Sequence, residues 1–231
     1  MFGFYFDSTY IYLILPAAII CSIAQMRVTS TFNKYSRVSN ARGLTGHDVA
    51  RRILDMNGLQ DVSVQRVSGH LSDHYDPRSK VVRLSDSVYD STSVAAIGVA
   101  AHETGHAVQH AVGYAPLKIR NSIIPITQFG STLAIPLFLA GMLFTIDILM
   151  TLGIVFFSLA TLFQLITLPV EFNASRRAIN TLVGTEILYG DEVTGAKKVL
   201  TAAALTYVGA MIMSLMQLLR LVIIAGRRNN D

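Results

Sequence analysis

Residues 123–168, "IIPITQFGSTLAIPLFLAGMLFTIDILMTLGIVFFSLATLFQLITL", decide the fold, because a single charged residue, Asp147, interrupts 46 positions of otherwise uncharged chain. A hydrocarbon layer of about 30 Å is crossed by roughly 20 apolar residues in helix. The stretch therefore holds two spans, residues 123–146 and 148–168, turning back at Asp147. Two further runs have the same character, residues 10–26 and 199–219. The composition agrees, since 52% hydrophobic and 15% charged residues do not furnish a water-facing surface. The expected fold class is mainly α: a four-span helical integral membrane protein with a small α+β region between the spans.

The first run could pass for a signal peptide, but its flank "MFGFYFDSTY" has no basic residue and leads to no small-residue cleavage site. It is expected to be a retained anchor. Of the 19 lysines and arginines, 16 fall in residues 27–120 or 176–198. Positive flanks stay cytoplasmic, so both polar regions are expected on that side and the N-terminus outside. Arg227 and Arg228 then oppose the rule, and Arg220, near the end of the last run, is expected to snorkel toward lipid headgroups. A net charge of +4 with basic residues beside apolar spans, not interleaved with aromatics, points to the lipid bilayer as partner and to no nucleic acid. Cys21 is the single cysteine, which excludes an intrachain disulfide and a thiolate zinc cluster. The chain has no glycine-rich phosphate loop and no internal repeat.

The expected organisation is an anchor at 10–26; a cytoplasmic region at 27–122; a transmembrane hairpin at 123–168; a cytoplasmic helix at 169–198; and a fourth transmembrane helix at 199–226. Within the first polar region, "TGHDVARRILDMNGL" pairs Thr45 with Asp48 in capping-box spacing and places Gly58 where a helix should stop. "VSVQRV" and "KVVRLS" read as strands around the turn-rich "SGHLSDHYDPRS", the pattern of a β-hairpin, with His70 and His74 as surface residues of its loop. "SDSVYDSTS" then offers an N-cap for a helix over 94–112, with Gly113 as its stop.

That helix carries "GVAAHETGHAVQH", Gly98 to His110. Residues four apart share a helix face, so His102 and His106 can meet at one ion with Glu103 beside it. This is the HExxH pattern: imidazole nitrogen suits Zn2+, and the glutamate can deprotonate a water that the metal has acidified. A shuffled chain of this composition would contain it on the order of 0.003 times. His110 stands about 12 Å along the axis from His102, too far to share the ion on a straight helix. It is expected on the helix surface or behind a ligand. The metzincin pattern would need histidine at 112, where the chain has Val112.

The third metal ligand is expected to be Glu171, which opens "EFNASRRA" where the third span ends. Ala174 and Ala178 form a small strip that would let this helix approach the histidine helix, and Pro169 is expected to start or kink it. Glu186 and Glu192 read as exposed loop residues.

"DHYDPRSKVVRLS", "AAIGVAAHETGHAVQH" and "LPVEFNASRRA", in that order around four spans, resemble the neutral zinc metallopeptidases of bacterial membranes, and more distantly the membrane gluzincins of the HtpX and CAAX prenyl protease type. The resemblance covers nearly the whole chain. It implies a zincin-like region in which His102, His106 and Glu171 bind zinc and Glu103 is the general base. It also implies a multi-pass protein of the bacterial inner membrane, with a cytoplasmic site acting on peptide or membrane-protein substrates. Relatives often carry aspartate four residues after the glutamate ligand, to orient a zinc histidine. Here that position is Ser175, so another group, Asn173 or an aspartate of the hairpin loop, is expected to complete the site. Arg176, Arg177, His74 and Tyr75 could stabilise an oxyanion, and residues 80–85 could pair with an extended substrate.

Two rivals remain. A site-2-type intramembrane protease would take an aspartate ligand from a later span, and none is visible. A non-catalytic zinc-binding scaffold would have no need of Glu103.

Overall fold

The computed structural model describes residues 8–69 and 72–228, so His70 and the flank Met1–Asp7 lie outside the described residues. The chain is mainly helical. A π-helical turn, Tyr10–Ile14, runs into α1 (Leu15–Tyr35); α2 (Gly46–Met56), β1 (Ser63–Val67), β2 (His74–Asp76), β3 (Val81–Ser85) and α3 (Val94–Ala111) follow, then α4 (Ala115–Phe144), α5 (Asp147–Gly184) and α6 (Asp191–Arg228). Among the described residues four helices are long and apolar enough to cross a membrane: Tyr10–Tyr35, α4, α5 and α6. Large apolar side chains on them, among them Tyr12, Phe129, Phe144 and Ile148, stay exposed on the protein surface. A solvent of lipid accounts for such a surface where water would not.

The chain divides into two compact units. One comprises Met1–Gln25, Ile119–Leu168 and Thr206–Asp231. It is held by Phe138, Met150 and Leu221 and by a hydroxyl pair, Thr161 with Ser214 at 2.8 Å. Arg228 donates to the Gly141 carbonyl at 3.1 Å and lies 3.7 Å from Asp147, which ties the end of α6 to the α4–α5 turn. Arg220 does not reach outward as expected: it is buried, with its guanidinium 5.5 Å from the centre of the Tyr10 ring. Contact with an aromatic face gives the charge a partner inside the protein.

The other unit comprises Met26–Lys118 and Pro169–Leu205. α2 begins with the capping box the sequence predicts: Asp48 N–H donates to the Thr45 hydroxyl, and the Asp48 carboxylate accepts from Thr45 N–H. These donors hold the Asp48 carboxyl below the usual range, the Thr45 backbone amide contributing most. Val49 and Ile53 pack with Val94, Ile97, Ala178 and Leu182, while Ala50 and Leu54 face Val82, Leu84 and Ala96. α3 starts at Ser93, whose hydroxyl accepts from Ala96 N–H at 3.2 Å. Gly58 and Gly113 follow their helices at φ of +72° and +65°, which only glycine adopts without strain.

The expected hairpin of the first and last strands does not form. β1 pairs with β3 in parallel, and the loop between them contributes β2, antiparallel to β3, for the order β1-β3-β2. The tight connection is the one from β2 to β3. There Asp76 accepts from Arg78 N–H at 2.9 Å and from the Ser79 hydroxyl at 2.6 Å, the local side-chain bonding that makes aspartate a turn former. These donors push the Asp76 carboxyl well below the usual range, the Ser79 hydroxyl first. β3 is therefore the central strand, paired along 81–85 with β1 and at 81–83 with β2, so residues 81–83 have no free edge for a substrate.

Pro169 neither starts nor ends a helix, since α5 continues through it to Gly184.

Candidate metal centre

Three side chains converge in the second unit. His102 and His106 stand one turn apart on α3, and Glu171 faces them from α5. One carboxylate oxygen, Glu171 Oε2, lies 3.3 Å from His102 Nε2 and 3.5 Å from His106 Nε2. Glu171 is 3% exposed, and His106 is buried as well. Taking a carboxylate this far from water costs several kcal/mol unless cations or donors compensate.

The donor set fits a divalent metal. Zinc bonds of about 2.0–2.1 Å in a tetrahedron separate neighbouring ligand atoms by roughly 3.3–3.4 Å, close to the 3.3 and 3.5 Å from the Glu171 oxygen to the two imidazoles, and all three ligand atoms lie within 4.8 Å of one another. Two imidazoles with a carboxylate and no thiolate suit zinc among the common ions.

Tautomers follow from the partners behind the rings. Gln109 Nε2 donates to the Val170 carbonyl at 2.8 Å and to Asn173 Oδ1 at 2.9 Å, so the amide is turned with Oε1 toward His106. That oxygen lies 2.9 Å from His106 Nδ1 and can only accept. The Nδ1 of His106 therefore carries a proton, which leaves Nε2, 3.5 Å from Glu171 Oε2, as the nitrogen that could bind a metal once deprotonated. Asn173 Oδ1 is fixed in turn by Arg177 Nε at 2.8 Å. On the other histidine, Ser175 Oγ lies 3.1 Å from His102 Nδ1. Serine thus takes the place expected to need a substitute, and the expected aspartate of the loop is engaged elsewhere: Asp73 accepts from Ser85 N–H at 2.7 Å and from its hydroxyl. Asn173 acts one step removed, through Gln109. Gln109 itself was not singled out from sequence; the available signal was an amide three residues past His106 within an apolar run.

Burial by itself would lower the His106 imidazole, but Glu171 and the charge of Glu103 outweigh it, and the net direction is upward. Glu103 is half-buried on the same helix and makes no hydrogen bond or ion pair among the described residues. The HETGH spacers serve packing. The Thr104 hydroxyl bonds back to the Ala101 carbonyl at 2.8 Å. A Cβ on Gly105 would stand 2.9 Å from the Ala174 carbonyl oxygen, so glycine is what lets α3 and α5 approach.

Other candidates stand apart from the cluster. His110 is exposed, with Nδ1 2.9 Å from the Tyr75 hydroxyl. His74 Nδ1 lies 2.8 Å from the Ser72 carbonyl. Arg177 is committed to Asn173, and Arg176 lines a cavity of about 420 Å³ with Lys197 and Phe172. Glu186 pairs with Arg42 at 3.6 Å, and Glu192 accepts from Ala41 N–H at 2.7 Å.

The family model described as "Putative neutral zinc metallopeptidase" matches residues 10–226. The chain belongs to this family. It is 52% identical over 223 residues to a protein of Bacillus subtilis (strain 168) named "Putative membrane protease YugP", covering 96% of this chain and 99% of that one. No solved structure matches the chain. A metal site of His102, His106 and Glu171 is consistent with membership, as are the four apolar helices.

Proposed function

We propose that the chain is a membrane-embedded zinc endopeptidase of the gluzincin type, with His102, His106 and Glu171 as its metal ligands and Glu103 as its general base. The observation that carries this is the convergence of two oriented imidazoles and one buried carboxylate, next to a second glutamate that makes no hydrogen bond or ion pair among the described residues. A structural zinc is closed by four protein ligands and has no use for an adjacent base.

Bound zinc would polarise the scissile carbonyl and acidify a water. The chain's own residues supply the rest. Glu103 accepts the proton of the attacking water and returns it to the leaving amine, so that one carboxylate serves as base and then as acid. Gln109 and Ser175 hold the two imidazoles by their Nδ1 atoms, which keeps the Nε2 lone pairs aimed at the ion. From the sheet, the Tyr75 hydroxyl on the edge strand β2, 2.9 Å from His110 Nδ1, has the chemistry to donate to an oxyanion.

We place the protein in the bacterial inner membrane, with the site and both polar regions on the cytoplasmic side, on the distribution of basic residues. Its substrates would be cytoplasmic or juxtamembrane peptides. The test is zinc content and peptide hydrolysis by purified wild type, Glu103→Gln and Glu171→Ala. Full zinc with no hydrolysis in the first variant and lost zinc in the second are expected; hydrolysis that survives Glu103→Gln would overturn the mechanism.

A further inference from the structure

A second cavity in the same unit, about 730 Å³, is lined by α1 and α6 and shares no residue with the metal centre. Its walls carry Arg27 and Lys34 from α1 and Lys197 and Lys198 from α6. Volumes of 300–1,000 Å³ are typical of ligand sites. No carboxylate lines this one, and among the described residues none of the four cations has an ion-pair partner. Glu192, which opens α6, is already occupied by Ala41 N–H. Thr31 and Thr201 add hydroxyl donors to the same walls.

The helical spacing makes the convergence systematic. Arg27, Thr31 and Lys34 recur at intervals of four and three along one face of α1; Thr194, Lys197, Lys198 and Thr201 do the same on α6. Four like charges directed at one space repel one another, and an anion relieves the repulsion. The chemistry that suits them is a phosphate: several charge-assisted donors with hydroxyls between them.

The position along each helix selects the carrier of that phosphate. The apolar run of α1 ends at Met26, immediately before Arg27, and that of α6 begins at Val199, immediately after Lys198. The cavity therefore has cations where both helices turn polar, and apolar Ala202 and Leu205 farther along α6, inside its apolar run. A free phosphate would use only the first part; an amphiphile uses both. We infer that this cavity binds the headgroup of an anionic phospholipid, its phosphate between Arg27, Lys34, Lys197 and Lys198 and its acyl chains along Leu205.

The experiment exposes full-length protein in detergent to mixed micelles of phosphatidylglycerol and phosphatidylcholine in equal parts, then washes and counts the retained lipid. Wild type should retain phosphatidylglycerol over phosphatidylcholine by about tenfold. Lys197→Gln with Lys198→Gln should abolish the preference, and Lys197→Arg with Lys198→Arg should keep it. Arg27→Gln with Lys34→Gln approaches the cavity from the other helix and serves if the first pair fails to fold by circular dichroism. Arg52→Gln with Arg78→Gln removes equal charge from exposed positions outside the cavity and should behave as wild type. No preference in wild type, or an equal loss in the exposed pair, would overturn the site. Complete release of the lipid by millimolar inorganic phosphate would overturn the assignment to lipid in favour of a free anion.

Discussion

Gln109 Oε1 accepts from His106 Nδ1 at 2.9 Å in a position shielded from solvent, and the Gln109 amide is held by two oxygens of α5. The orientation of one imidazole of the candidate site is thus set by the helix that bears the third candidate ligand. Gln109→Leu keeps the volume but removes the acceptor, leaving a buried N–H without its bond. Zinc affinity is expected to fall about 10- to 100-fold with the fold intact. Competition with a chromophoric chelator measures it.

Ser175 Oγ stands in the corresponding place behind His102, 3.1 Å from Nδ1, and in the proposed site it would accept from that nitrogen. Ser175→Ala should weaken zinc by up to about tenfold, less than loss of either imidazole, whereas Ser175→Asp should hold the ring as well or better, as an ionised acceptor raises ligand basicity. The same chelator titration, run on both variants, distinguishes an orienting role from mere packing.

Gly105→Ala should act through the backbone. The new methyl meets the Ala174 carbonyl at 2.9 Å, and a carbonyl in mid-helix cannot rotate aside. Separation of α3 from α5 is expected to cost about 1–3 kcal/mol and to reduce zinc content with His102, His106 and Glu171 all still present. Thermal unfolding with elemental analysis reads both effects.

Acid should release the metal. In the metal-free protein the His106 imidazole is raised above its ordinary value, so it stays protonated to a higher pH than a free histidine and the proton competes with the ion. Apparent zinc affinity should climb with pH and level off only above that raised value. Titration of zinc at several pH values checks the slope; an affinity flat across the range would mean that the histidines are not ligands.

At lower pH the α2 cap should fail. Asp48 has a depressed value, so its contribution is complete above the usual carboxylate range and disappears as pH falls through the lowered one. Thr45→Ala should cost about 1 kcal/mol at neutral pH. Asp48→Asn should cost nearer about 0.5 kcal/mol, the carboxylate being half-exposed and screened, and should unfold at the same point as wild type once the medium is more acidic than the depressed value. Thermal unfolding across pH measures both.

Local features were legible and relational ones were not. The α2 capping box and the Ser93 cap lie within four residues of what they cap, and the two histidines one turn apart need only the helix itself to meet. Glu171 could be picked out because glutamates are few and because of the family resemblance. The sheet order could not be read, since two strands separated by a turn-rich loop look like a hairpin whether or not three residues within that loop form a strand of their own. Gln109 escaped for a similar reason: a glutamine near the end of a helix looks like a solvated residue until the Val170 carbonyl is known to face it. Ser175 has only a neutral hydroxyl by residue type, and it is its 3.1 Å approach to His102 Nδ1, invisible in the sequence, that makes it a candidate to orient the ring.

The Arg228–Asp147 contact bears on how the chain's orientation should be counted. Topological rules treat each arginine near a helix end as an independent vote. One whose charge is met by a carboxylate, and whose N–H groups are taken by the Gly141 carbonyl, has already spent its vote inside the protein. Of the two terminal arginines that argue against the proposed orientation, only Arg227 then remains to be weighed, against the sixteen basic residues of the two polar regions.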